Sequence, residues 1–186
     1  SLLLRPKLSP ELASMITIIA ALSVAKAIEN TEKLQVHIKW PNDIILNGRK
    51  LCGILTEMSV DMEGLSYLVC GIGINANAEN FPKELETVAT SIYMHTKKVC
   101  IRKYLIKEII KIFLEYYKLF LKKRSLAFIK DEYELRLIHK DKYINILGKD
   151  SVKEVLSKGI DEKGFLVVSD KEGEYSISSG EISIRL

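Results

Sequence analysis

No two cysteines in this chain stand close enough to form a Cys-x-x-Cys pair. Cys52, Cys70 and Cys100 are 3 in number and far apart, which argues against both a disulfide framework and a thiolate zinc site. A reducing cytoplasm fits that usage best. Histidine is scarce as well: His37, His95 and His139 have no partner at metal-ligand spacing, so no metal site is expected. No Ser/His/Asp or Cys/His arrangement is visible either. Long apolar runs are missing too. The longest, around 15–25, is short, interrupted by Thr17 and Ser23 and closed by Lys26, so it is not expected to span a bilayer. No signal-peptide pattern precedes it, and a soluble protein without a membrane partner is expected. There is no concentrated charge: 28 basic and 24 acidic residues are interspersed, leaving a formal +4 that does not imply nucleic acid. Repeats and low-complexity tracts are absent. So is an initiator Met, and because Ser1-Leu2-Leu3-Leu4-Arg5 reads like the interior of a strand, further chain is expected upstream.

What is present is a chain of 186 residues, 47% of them apolar, enough for one domain and a small appendage. Ser9-Pro10-Glu11 supplies a helix start, and apolar spacing from Leu12 to Ala27 predicts a helix over about 10–29. From Leu34 the period changes to two: Val36 and Ile38 share one side of a strand, and Gln35, His37 and Lys39 share the other. Asn47-Gly48 between 44–46 and 50–58 is a strong hairpin signal. A turn over Asp61 to Gly64 leads into a third strand, Leu65 to Asn75. The result is a meander rather than a βαβ series. A long amphipathic helix over about 101–123 follows, then a shorter helical stretch near 125–137. From Lys142 onward, short strands with turns at 148–150, 161–164 and 170–173 predict a small all-β unit built as a barrel, with the boundary near 138.

Two runs carry the functional argument. In the third strand Leu68, Cys70, Ile72 and Ile74 alternate with Val69, Gly71, Gly73 and Asn75, so one face is apolar and the other loses its side chains at two successive positions. Glycines in a strand interior often mark a place where a ligand or another backbone lies against it. A bulge or a crossing helix accounts for them equally well. The dinucleotide fingerprint is ruled out, since its third glycine and following helix are missing. Lys39 ends the first strand on its polar face and is followed by Trp40-Pro41-Asn42-Asp43. An ammonium held there beside a concave floor suits a phosphate or carboxylate. Taken singly, Lys39 reads as a solvated lysine, and Asn42 and Asp43 as turn residues. Together, Lys39 and the 71–75 ledge are expected to converge across adjoining strands. Glu57 is given no role.

The runs Lys39-Trp40-Pro41-Asn42-Asp43, Arg49-Lys50-Leu51-Cys52-Gly53-Ile54-Leu55-Thr56-Glu57, Gly71-Ile72-Gly73-Ile74-Asn75 and Gly180-Glu181-Ile182-Ser183 resemble, in order and spacing, those of biotin protein ligases. The resemblance implies an α+β fold, a mixed, largely antiparallel sheet packed on helices of the class II synthetase-like, biotin-lipoate ligase type. It implies a catalytic domain over 1–138 and an SH3-like β-barrel over 139–186. It also implies a reaction in which biotin and ATP give biotinyl-5′-AMP, and a lysine of a biotin carboxyl carrier domain then takes the acyl group. Lys39 matches the catalytic lysine. Lys39, Gly53, Gly71 and Gly73 match biotin-binding positions, and Asn75, Asn42 and Asp43 the adenylate side. Magnesium would accompany ATP, with no ligands assignable here. A homodimer is expected by the same resemblance, and DNA only if a DNA-binding domain lies upstream. The family's Gly-Arg-rich loop is expected before Ser1, so the chain is expected to lack part of the site.

Two other readings stay open. A lipoate-type acyl ligase would share the chemistry and an equivalent lysine. A non-catalytic fragment that binds a carrier protein or a second copy would need neither.

Overall fold

The computed structural model describes residues 1–62, 64–147, 152–178 and 183–185. The expected turn at 148–150, most of the 180–183 run, and Glu63 of the 61–64 turn lie outside them.

Strand β1 (Leu2–Leu4) is followed by one 3-10 turn at Pro10–Leu12 and by helix α1 (Met15–Glu32). Ser9 has the extended backbone of a cap, but its hydroxyl makes no capping bond. Four strands then run as the expected meander: β2 (His37–Lys39), β3 (Asp43–Leu46), β4 (Arg49–Asp61) and β5 (Gly64–Ile74). β1 pairs antiparallel with the outer edge of β5, giving the order β1-β5-β4-β3-β2. Asn47 and Gly48 both take positive φ, 48° and 76°, which is the two-residue turn whose twist matches that of the strands it joins.

Beyond the sheet come a short helix α2 (Ile92–Thr96), the long helix α3 (Arg102–Lys123) and a single turn of helix α4 (Lys130–Glu134). The last is shorter than the stretch expected over 125–137, because turns flank it on both sides. One face of the sheet and α3 enclose α1, whose Ile16, Ile19, Leu22, Val24 and Ile28 have no exposed surface. Burial on that scale, at roughly 2 kcal/mol for each large apolar side chain, is what holds the layers together. The stretch Pro10–Glu32 is long and apolar enough to cross a bilayer, contrary to the expectation for 15–25. Its apolar surface lies in this core.

The C-terminal part is an antiparallel sheet of β6 (Tyr143–Leu147), β7 (Val152–Ile160), β8 (Leu166–Asp170), β9 (Gly173–Ile177) and β10 (Ser183–Arg185), in the order β10-β6-β7-β8-β9. The fold is therefore α+β, with antiparallel sheets packed on helices.

This second sheet grips the end of β2. The Trp40 indole Nε1 donates to the Gly164 carbonyl at 2.9 Å, and the Trp40 backbone N–H donates to His139 Nε2 at 3.3 Å. With Nε2 accepting, the proton of His139 sits on Nδ1 and donates to Ser157 Oγ at 2.9 Å. His139 is fully buried. Burial, aided by Lys39 and Lys142, pushes its pKa down from 6.5 to about 4. Between those values the unfolded chain binds a proton that the folded chain refuses, so stability is complete above the unfolded pKa and falls with pH below it. Wild type should lose about 2 kcal/mol between about pH 7.5 and pH 5 from this group. Denaturant titrations across that range should show a clearly shallower loss in His139→Gln, and equal slopes would contradict the assignment.

Candidate active site

The registers of the meander place four residues in one row. Lys39 pairs with Asp43, Asp43 with Gly53, and Gly53 with Gly73. All four stand on the face away from α1, where the expected parity puts Lys39 and Gly73. Lys39 and the ledge do converge, though not across adjoining strands: β3 and β4 lie between β2 and β5. The charge at one end of the row and the bare backbone at the other are thus separated by a carboxylate and a second glycine.

The ledge is open. A Cβ on Gly73 would meet only the Gly53 carbonyl oxygen, at 3.7 Å, and one on Gly71 would meet the Leu55 carbonyl at 3.5 Å and Ser1 Oγ at 3.8 Å. Among the described residues no helix crosses there, and no bulge falls at these two glycines. On the opposite face Leu68 and Cys70 are fully buried. Both glycines therefore lack side chains on the side where nothing of the described chain needs the room.

Above the row lie two neighbouring cavities. The larger, of about 640 Å³, is lined by Lys39, Asp43, Gly53, Gly73 and Asn75 together with Ile45, Lys50, Cys52 and residues of the 85–89 segment. The smaller, of about 460 Å³, is lined by Asn42, Leu55, Gly71 and Ile72, and shares Asp43, Lys50, Gly53 and Gly73 with the first. Every site residue expected from the sequence thus lines one or both. Asn42 is partly committed, since its Nδ2 donates to the Ile54 carbonyl at 2.8 Å and its own carbonyl accepts from Ile54 N at 3.0 Å. That clamp ties the 40–43 turn to β4. The Asn75 backbone N–H donates to the Leu51 carbonyl at 2.9 Å, which fixes where the chain leaves the sheet.

Three features escaped the sequence. After Ile74 the chain departs, and the 88–90 segment takes the vacated place beside β4: Lys50 N donates to Val88 O at 2.8 Å, and Thr90 N donates to Lys50 O at 3.0 Å. Helix α2 closes that segment, capped by Ser91 Oγ accepting from Met94 N at 3.1 Å. Lys50 is the third, its ammonium 2.6 Å from Asp43 Oδ1. No periodicity marks 85–90, and Lys50 looks like any other surface lysine.

The electrostatics favour an anion. Two ammonium groups, Lys39 and Lys50, and one carboxylate, Asp43, line the larger cavity, leaving one net positive charge in a partly dry space. Cys52 is no nucleophile there, because burial and then Asp43 push its thiol up to about 12. Among the described residues no three His, Cys, Asp or Glu side chains gather as a metal site. Asp43, the one acid lining these cavities among the described residues, is already paired with Lys50, so the described chain offers no cage for magnesium.

Residues 1–75 match the Biotin/lipoate A/B protein ligase family, and residues 141–185 match the Biotin protein ligase C terminal domain. The chain is 32% identical over 188 aligned residues to the bifunctional ligase/repressor BirA of Bacillus subtilis, covering 99% of this chain and 57% of that protein. The BirA of Bacillus spizizenii gives the same figures. The chain therefore spans a little over half the length of these relatives. Among solved structures, the biotin protein ligase of Aquifex aeolicus superposes with a TM-score of 0.86 at 32% identity, covering 98% of this chain and 79% of that one. The Aquifex enzyme in complex with biotin and ATP gives 0.86 at 31% identity, with 98% and 75% covered. By fold, by sequence and by the match of both its parts, the chain belongs to the biotin protein ligase family.

Proposed function

We propose that this chain forms the greater part of an ATP-dependent, AMP-forming biotin protein ligase, with a catalytic unit over 1–138 and an SH3-like unit over 139–186, working in the cytoplasm. The observation that carries the reading is the row Lys39-Asp43-Gly53-Gly73, which sets an ammonium and an unobstructed glycine floor on one face of one sheet. In this reading biotin lies over Gly53, Gly71 and Gly73 with its carboxylate toward Lys39. The nucleotide lies toward Asn75, with Asn42 and Asp43 on the adenylate side. Magnesium arrives with ATP.

Two steps follow. A biotin carboxylate oxygen attacks the α-phosphorus of ATP, the bond to the bridging oxygen breaks, and pyrophosphate leaves with that electron pair. A lysine amine of a carrier domain then attacks the acyl carbon, loses a proton as the amide forms, and expels AMP. Negative charge grows on non-bridging oxygens in both transition states. A fixed ammonium close to them, in a site that excludes water, is worth about 3 kcal/mol, or about a hundredfold in rate. Lys39 supplies it. Its side chain is outside the core, so removing it costs the fold little.

The test is incubation of the complete protein with biotin, ATP and a biotin carboxyl carrier domain. Biotinyl-carrier, AMP and pyrophosphate should appear in equal amounts. Lys39→Ala should lower the rate about a hundredfold or more with an unchanged thermal melt. Labelling of a lipoyl carrier with lipoate, and none of the biotin carrier, would overturn the reading.

A further inference from the structure

One wall of the larger cavity does not belong to the sheet. It is the 85–89 segment, which sets Leu85, Thr87, Val88 and Ala89 along the cavity together with Gly48 of the β3–β4 turn. Its backbone joins β4 at an isolated bridge, Lys50 with Ala89, made by the two backbone bonds of Lys50 to Val88 and Thr90. That bridge falls on a bulge: Ile44 faces Cys52 while Ile45 faces Lys50, so Leu51 is an extra residue in β4. A bulge disrupts the ladder locally, so a bridge beside it is a poor guide to the angle at which the wall stands. A further hold is needed to set how far the wall lies from the turn.

His95 supplies it. The residue sits in α2, one turn past the Ser91 cap. Its Nε2 is 2.8 Å from Thr90 Oγ1, and its Nδ1 is 3.3 Å from Asn47 Nδ2. With Nδ1 accepting from the Asn47 amide, the ring proton sits on Nε2 and is donated to the Thr90 hydroxyl. Thr90 is fully buried at the end of the wall, and Asn47 is the first residue of the turn, next to Gly48. One rigid ring therefore spans wall and turn. Burial, then Arg49 and Lys97, push the His95 pKa down from 6.5, which keeps the ring neutral and able to accept at one end and donate at the other. Arg49 adds a longer tie, its Nη1 donating to the Glu86 carbonyl at 3.3 Å. The helix that carries His95 is itself bound to the end of the ledge, since Ile92 N donates to the Asn75 carbonyl and Tyr93 N to the Ala76 carbonyl, both at 3.0 Å. Turn, wall and Asn75 are thus all referred to α2.

We infer that His95 is a positioning residue for the nucleotide half of the site: by linking Thr90 to Asn47 it fixes the separation of the 85–89 wall from the Gly48 turn, and with it the width of the larger cavity. This rests on the ligase reading and adds to it a residue that acts without touching the ligand. His95 is not among the residues lining either cavity, so its effect passes through Thr90 and Asn47. Without the ring, the wall keeps only the bulged bridge and the Arg49 tie on the β4 side, and the cavity no longer has one width. The glycine floor is held by the sheet registers and does not depend on this link.

Titration calorimetry of the complete protein with biotinol adenylate and with biotin alone tests this, alongside a thermal melt of each variant. Biotinol adenylate is a phosphodiester that cannot transfer an acyl group. His95→Ala should bind it about 10-fold more weakly, with biotin affinity and the melt unchanged. Thr90→Val should weaken the same ligand, and the double variant should bind no more weakly than the worse single one, because each change removes the same link. Additive losses would overturn the inference, as would unchanged affinity for the adenylate. Weakening of biotin and adenylate alike, with a lowered melt, would reveal a merely structural histidine and overturn it too. If wild type itself binds neither ligand, the ligase reading falls and this inference with it. Binding of both by wild type that is indifferent to His95 removes the inference alone.

Discussion

The site depends on strand register. Lys39, Asp43, Gly53 and Gly73 belong to four different strands and meet only because each pairing along the meander is set to the residue. A slip of one position in any pair would send that strand's contribution to the helix side and bring a buried apolar side chain into the site. The register has two sources. One is the Asn47-Gly48 turn, whose two positive φ angles allow a single connection between β3 and β4. The other is the apolar parity of the strands, since Ile38, Ile44, Cys52, Ile54, Leu68 and Cys70 must all reach the core beneath α1.

The C-terminal sheet has a part in this. β2 has three residues and would be a poor anchor for a charged side chain by itself. Its end is held from outside: Ile38 bonds through its backbone to Arg136 and Ile138, and Trp40 to Gly164 and His139. The ammonium of Lys39 therefore projects from a strand end fixed on both sides. A buried neutral histidine suits that purpose, because it accepts from one neighbour and donates to another without bringing a charge into the core.

Much of this was legible in the residues. The turn at 47–48, the period-two strands and the long helix over 102–123 follow from local chemistry, and the Gly71/Gly73 parity put the ledge on the correct face. What was not legible depends on contacts distant in sequence. The bulge at Leu51 leaves no local mark, because it is set by the pairing partner and by the 88–90 segment that satisfies Lys50. The same is true of α4, cut to one turn where the chain must bend to reach β2; the two strands between Lys39 and the ledge, by contrast, were already implied by the expected meander. The apolar run at 15–25 reads as too short for a bilayer, whereas Pro10–Glu32 as a whole is long enough, because its apolar surface is that of a helix enclosed by a sheet and a second helix, a composition that a bilayer span shares.

The central claim is that Gly73 is bare for a ligand and not for the fold. Gly73→Val separates the two, because a Cβ there meets only the Gly53 carbonyl at an ordinary 3.7 Å and β-branched residues suit strands. Thermal melting and biotinol adenylate binding should be measured on the same preparation. The account predicts a melting temperature at or above that of wild type together with loss of binding. Undiminished binding, or unfolding in place of a selective loss, would contradict it.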